Sequence, residues 1–277
     1  MDKTTFAFYC FWLAHVSRTL TLLVSPVSHS TQHLTVNHTL SMKTTALLCT
    51  ITLLTTSLIA ADSTPKDDVL AAAKKLGEKP SYAWKTTTVV PESAQFKPGP
   101  SEGKTSKDGI TFLSVSFGDN TTQIYLKGDK AVADPDGDWQ TLADLENSEG
   151  PGRFLGFLIR NFQAPVAQAQ ELAGAAKELK KEGEVFASDL TEEGAKKQFR
   201  WGNVTNPKGS VKFWVKEGQL AKLQFKLTGK VDFNGNEIDV DRDTTVEVKD
   251  VGTTKVEVPE AAMKKLNPPA PPAPAAK

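Results

Sequence analysis

The chain has 277 residues, with 33 basic and 33 acidic side chains. A formal charge of zero gives no electrostatic case for nucleic acid. All four histidines (His15, His29, His33, His38) and both cysteines (Cys10, Cys49) lie in the first 49 residues, so a product processed beyond that point has neither residue type.

Met42 opens "MKTTALLCTITLLTTSLIAADS": Lys43, then an apolar and threonine-rich run from Ala46 to Ile59, then the small residues Ala60 and Ala61. That order is expected of a secretory signal peptide over residues 42–61, and the run is short for a membrane span. Cleavage after Ala60 or Ala61 starts the exported chain near Asp62, with Leu58 or Ile59 three residues before the cut. Residues 1–41 then lie upstream. They read as a non-structural extension from an over-extended start, or as a membrane anchor at Phe6–Val24 that Arg18 and His15 interrupt. Cys49 follows Leu47 and Leu48 inside the apolar run and reads as part of the removed peptide. The remaining 216 residues carry 30 basic and 32 acidic side chains. They are enough for one sizeable core and hold no predicted integral membrane span. The expected location is the periplasm or cell envelope.

The exported part opens with a predicted helix over Thr64–Leu76. Thr64 caps it, Pro65 suits the first turn, and Asp67 and Asp68 favour its positive end. Val69, Leu70, Ala73 and Leu76 make one apolar face. Predicted strands follow at 81–90, 110–117, 122–128 and 130–134, with a polar loop over 91–109. "GDNT" and "KGDK" are the turns of an antiparallel meander.

"PDGDWQTLADL" (135–145) starts a helical region. Within it, "GRFLGFLIRNFQAP" (152–165) has six large apolar residues: Phe154, Leu155, Phe157, Leu158, Ile159 and Phe162. The polar remainder, Arg153, Gly156, Arg160 and Gln163, falls on one helical stripe and is expected to face water. A surface helix needs an apolar stripe of roughly 100°, and this one has more. It is expected to lie between a sheet and a second helix over 165–183, or to roof a lipid-lined cavity. A short helix is predicted at 191–199.

The last part is strand-rich. Val211, Phe213 and Val215 alternate with Lys212 and Lys216, while Leu223, Phe225 and Leu227 alternate with Lys222, Gln224 and Lys226. "KEGQ" and "NGN" are hairpin turns. A final strand is predicted at 254–259, then an amphipathic turn "EAAMKKL". Residues 267–277 are rich in proline and alanine and read as a disordered tail or a spacer toward the cell wall. The expected fold is α+β: a curved antiparallel half-barrel sheet over 62–266, with a helical lid inserted between its two halves.

Residue content removes Ser–His and Cys–His catalysis from the exported chain, together with His- or Cys-based zinc and haem sites. "DVDRD" puts Asp239, Asp241 and Asp243 on one strand face, and "DPDGDW" groups Asp134, Asp136 and Asp138. The first reads as a solvated, lysine-facing strand, since Thr244 stands where a calcium loop wants glycine. The second reads as a turn. No metal and no cofactor is expected. The aromatics Tyr82, Trp84, Phe112, Phe117, Trp139, Trp201, Phe213, Trp214 and Phe225 lie mostly on predicted strands, with Trp214 out of phase among lysines.

Three stretches together resemble one family. "QIYLKGDKAVADPDGDWQTL" ends a strand pair before the lid, "VKFWVKEGQLAKLQFKLTG" pairs two amphipathic strands, and "DVGTTKVEVPE" closes the sheet. Over roughly Thr64–Leu266 this layout resembles the outer-membrane lipoprotein carrier superfamily (LolA/LolB-like, with LppX-like mycobacterial lipoproteins). The resemblance implies an exported protein that holds acyl chains between barrel and lid; no position matches a particular functional residue of the carriers.

The expected function is therefore a non-enzymatic binding protein for a lipid or other apolar ligand. Phe154, Leu155, Leu158 and Phe162 of the lid and Trp84, Phe213 and Phe225 of the sheet are the candidate apolar contacts. Arg153 and Arg160 are candidate rim residues for an anionic head group. Envelope proteins are the further candidate partners. Two alternatives stay open: an envelope structural or assembly protein whose cavity is filled by its own side chains, and a hydrolase built on convergent acids.

Overall fold

The computed structural model describes residues 63–94, 97–117, 120–200, 202–233 and 235–267. The expected upstream extension, signal peptide and tail from 268, together with Trp201 and the side chain of Phe117, lie outside the described residues.

Helix α1 (Pro65–Gly77) begins on a capping box: the Thr64 hydroxyl accepts from the Asp67 N–H, and the Asp67 carboxylate accepts from the Thr64 N–H. Strands β1 (Tyr82–Val89), β2 (Ser101–Thr105), β3 (Ile110–Phe117), β4 (Asn120–Lys127), β5 (Lys130–Asp134) and β6 (Gln140–Thr141) then build the first half-sheet. Three helices follow: α2 (Leu142–Asn147), α3 (Pro151–Arg160) and α4 (Pro165–Ala175). The hairpin β7 (Lys180–Glu182) and β8 (Val185–Asp189) and the short α5 (Glu192–Lys197) lead into the long strands β9 (Asn203–Lys216), β10 (Gln219–Phe233) and β11 (Asn236–Lys249), and α6 (Glu260–Leu266) ends the fold.

The eleven strands form one curved, open antiparallel sheet in the order β6-β5-β4-β3-β2-β1-β11-β10-β9-β8-β7. Its two halves join where β1 pairs with β11, Trp84 opposite Val248 and Thr86 opposite Val246. The first half is made before the lid helices and the second half after them, as the element order predicts.

Alternation gives the sheet two faces. Trp84, Leu113, Ile124, Ala133, Phe213, Leu223, Phe225 and Val246 point inward into one cluster, with Val69, Ala73 and Leu76 of α1 and Leu172 of α4. The outer face is covered only locally, where Ile110, Tyr125 and Val132 meet Ala262 and Leu266 of α6. Elsewhere the outer face carries charges.

Four boundaries differ from the sequence reading. The loop expected over 91–109 contains strand β2. Its residues, "SEGKT", have little strand preference, and pairing with both β1 and β3 overrides it. The helix expected over 165–183 stops at Ala175, and the following residues turn into the hairpin of β7 and β8. Ala176 is already extended and bridges Leu190, and Gly183 (φ 62°) makes the turn. All three residues of β7 are exposed, so no apolar alternation marks them. Residues 254–259 join no strand; the Tyr125 hydroxyl donates to the Glu257 carbonyl at 3.0 Å and holds them.

The fourth difference concerns the lid. The helix packed closely on α3 is α2 rather than the one beginning at Pro165. Gly156 is buried, and a Cβ there would touch Leu145 and Glu146 of α2 at 3.3 to 3.4 Å. The stripe expected to face water is therefore partly a seam: Gly156 seats α2, and Arg160 donates from Nε to Glu146 at 2.8 Å. The wide apolar surface of α3 follows, because it meets core on one side and a helix on another.

Candidate functional site

The lid meets the sheet through a stack of rings. Phe162, just past the end of α3, lies nearly parallel to Trp84 at 6.2 Å between centroids, and Tyr82 tilts against Trp84 at 5.7 Å. Trp84 is held from its other side by Gly103 of β2, where any Cβ would be built into the indole. Burial pushes the Tyr82 hydroxyl up to about 12. These rings fix the height of the lid over β1 and β2.

Beside the stack the lid stands off the sheet. A half-open groove of about 490 Å³ runs between them. Leu142, Ile159, Phe162, Ala164 and Ala167 form its helical wall, and Thr111, Leu126 and Ala131 form its sheet wall. Arg160 and Gln163 also line it, with Asp129 of the β4–β5 turn and Lys130 at the start of β5. Its lining is mixed: Leu126, Ala131, Leu142, Ile159, Phe162, Ala164 and Ala167 are apolar, and Thr111, Asp129, Lys130, Arg160 and Gln163 are polar.

Of the residues named from the sequence, Phe162 and Arg160 line this groove, and Trp84 backs it through Phe162. Leu155 is buried in the core, as are Phe213 and Phe225, which lie on the half of the sheet covered by α1. Phe154, Leu158 and Arg153 are half-buried on α3. Arg160 is exposed and paired with Glu146. A further recess of about 320 Å³ opens on the outer face beside Lys104, Phe112, Tyr125 and Glu257.

A polar network that the sequence reading missed ties the lid to the second half-sheet. The amides of Gln163 and Gln198 both donate to Glu171 of α4, the latter at 2.8 Å. Arg200 donates to Gln163 at 2.6 Å and to Glu171 at 3.2 Å. Burial acts to raise the Glu171 pKa, but the Gln163 bond, the Arg200 charge and the Gln198 bond outweigh it and hold the carboxyl below its ordinary value.

Arg242 of β11 extends this network, donating from Nη2 to the Gln198 carbonyl at 2.7 Å, with its guanidinium 5.8 Å from the Phe199 ring. Burial, and then the charge of Arg200, push the Arg242 guanidinium below its ordinary value. A signal for it exists in the sequence. Ile238, Val240, Arg242, Thr244 and Val246 share the inward phase of β11, and Arg242 is the charged member of that row.

The acidic clusters sit where charge is screened. Asp241 pairs with Lys226 at 3.2 Å, and Asp243 accepts from Gln224 at 2.9 Å, so the "DVDRD" acids face lysine and amide across the outer face. "DPDGDW" is a turn in which Gly137 (φ 92°) donates to Asp134 at 2.6 Å. Trp214, out of phase in the sequence, lies under the Lys222 ammonium at 4.8 Å. Among the described residues, no three His, Cys, Asp or Glu side chains are grouped to hold a metal, and no helix is long and apolar enough to cross a membrane.

No protein-family model matches the chain, and no curated protein matches it. Solved structures do. The chain is similar to the lipoprotein LppX of Mycobacterium tuberculosis at 10% identity and a TM-score of 0.43, over 69% of this chain and 97% of that one. It is similar to LprF from Mycobacterium bovis at 10% identity and a TM-score of 0.42, over 72% and 97% of the two chains. A DUF1329 family protein from Desulfovibrio piger matches at 10% identity and a TM-score of 0.30, over 68% and 93%.

Proposed function

We propose that this chain is an exported, non-enzymatic binding protein that holds a lipid or other apolar ligand in the groove between lid and sheet. The observation that carries the reading is the groove itself. It is about 490 Å³, half open, and walled by Leu126, Ala131, Leu142, Ile159 and Phe162. Burial of an apolar chain there is favourable by roughly 25 cal/mol per Å² removed from water. Arg160, paired with Glu146, and Gln163, bonded to Glu171 and Arg200, are the polar groups at the groove that a head group would have to engage. Export rests on the signal-peptide pattern of residues 42–61.

The test is native mass spectrometry of the protein purified from its own envelope, with organic extraction of bound material. Ala167 is exposed and lines the groove, so Ala167→Trp fills the space without entering the core. Lipid on the wild type and none on a folded Ala167→Trp variant is the expected result. An empty wild type that also takes up no added lipid removes the reading.

One observation favours a second reading, an envelope structural or assembly protein. The concave face over β9 and β10 is filled by α1, with Leu76, Phe213 and Leu223 almost wholly buried. The same experiment separates the two.

A further inference from the structure

Beyond the groove, the second half-sheet holds a charge without a counter-charge. On β11, Asp239, Asp241 and Asp243 turn outward, and Arg242 turns inward beneath the end of α5. Asp241 is engaged by Lys226 and Asp243 by Gln224, both on the outer face. The acid of the inner network, Glu171, is engaged by Arg200, Gln163 and Gln198. Arg242 forms no ion pair among the described residues.

A guanidinium has five N–H donors in a planar fork. One of them reaches the Gln198 carbonyl, the last carbonyls of α5 being a natural partner for a cation. The Nε of Arg242 is closed off from solvent and has no hydrogen-bond partner among the described residues. The Phe199 ring lies 5.8 Å from its guanidinium, and the charge of Arg200 acts on it. Capping α5 explains one donor and leaves the sealed Nε unexplained. Arg242 as a whole is half-buried, and its Nε is the part shut away from water; a sealed donor without a partner costs free energy.

We infer that Arg242, backed by Arg200, receives an anionic oxygen group, a carboxylate or a phosphate, on the helix-covered face of the second half-sheet. Nε with a neighbouring Nη is the donor pair that such a group accepts side by side. The hydroxyls of Thr88 and Thr244, bonded to each other at 3.1 Å, stand one inward position along the sheet from Arg242, and the pair keeps one O–H to donate. The site stands without the groove: it takes the acid end of an amphiphile or a free oxyanion, and the two sources are separable.

Thermal midpoints and tryptophan fluorescence of the purified protein are read with oleate, with oleyl alcohol and with inorganic phosphate, for wild type and Arg242→Met. Oleate binding about tenfold tighter than oleyl alcohol in wild type, with the preference erased in Arg242→Met, assigns the site to an amphiphile's acid group. A rise in midpoint with phosphate, lost in Arg242→Met, assigns it to a free oxyanion. Should Arg242→Met not fold, Arg200→Gln removes the second charge and keeps the α5 cap, and is expected to weaken the same responses. Equal binding of oleate and oleyl alcohol with no phosphate response overturns this site and leaves the groove reading standing. A phosphate response without binding of either amphiphile does the reverse. Anion responses unchanged in Arg242→Met overturn the inference and leave Arg242 a helix cap.

Discussion

Replacing Gly103 by alanine tests the ring stack that sets the lid over the sheet. Gly103 lies opposite Trp84 in the β1–β2 pair, and a Cβ at 103 would be built into the six-membered part of the indole. Trp84 has nowhere to go: it is 4% exposed, with Phe162 stacked at 6.2 Å on one side and Tyr82 at 5.7 Å on another. In an open strand, alanine for glycine stabilises by roughly 0.5–1 kcal/mol. Forcing a buried side chain off its rotamer costs about 1–3 kcal/mol, so the steric effect wins. A net loss of about 1–2 kcal/mol lowers Tm by roughly 2–8 °C in a domain of about 200 residues. Differential scanning calorimetry measures it, and a red-shifted tryptophan emission reports the displaced ring. Trp84→Ala removes the obstacle, so the double variant should fall short of the sum of its single changes. A Gly103→Ala protein as stable as wild type, with unchanged emission, refutes the packing argument.

Three further outcomes follow from individual groups. The Glu171 carboxyl is held below its ordinary value of 4.5, so the stability it contributes is present above that pH and is lost as pH falls through the lower folded value. Acid melting curves of Glu171→Gln should therefore show a shallower loss, and curves that overlay wild type would remove Glu171 from that role. Tyr82, with a pKa raised by burial to about 12 from 10, keeps its contribution below pH 10 and loses it as pH rises from 10 to 12. The loss is about 1.4 kcal/mol per pH unit at most, visible as a urea midpoint whose alkaline fall is smaller in Tyr82→Phe. Tyr125→Phe deletes the hydroxyl that donates to the Glu257 carbonyl, at a cost of about 1 kcal/mol, and should speed amide exchange across 256–258. Unchanged exchange there would show that Val256, Val258 and α6 hold the segment unaided.

The elements that carry strong local signals were legible from residues alone. The Thr64 cap, the Pro165 start, the Thr191 start and the alternation of β9 and β10 all sit where their residue types favour them. β2 and β7 were not legible, because "SEGKT" has a single β-branched residue, Thr105, "KKE" has none, and neither shows apolar alternation; neighbouring strands recruit them. The seam between α2 and α3 was hidden for a related reason. Gly156 in a polar stripe looks solvent-facing until a second helix is known to rest on it.

The candidate site divides in the same way. An excess of apolar surface on residues 152–165 marked the lid, and Phe162 and Arg160 do line the groove. Which wall faces them depended on how β3, β4 and β5 curl, which no local pattern encodes. Phe213 and Phe225 share the alternation of a ligand-lining strand, yet α1 fills the space above them. Alternation shows which way a side chain points and is silent about what lies opposite.

The sequence by itself determined the α+β class, the two half-sheets around a helical insert, and a described body without histidine or cysteine. Those follow from periodicity, turn chemistry and composition, which are local quantities. Only the tertiary structure decided that the open space lies beside Trp84 and Phe162 rather than over Phe213, and that Arg242 faces inward without a counter-charge. Cavities and unpaired charges are properties of what surrounds a residue, and residues far apart along the chain supply those surroundings.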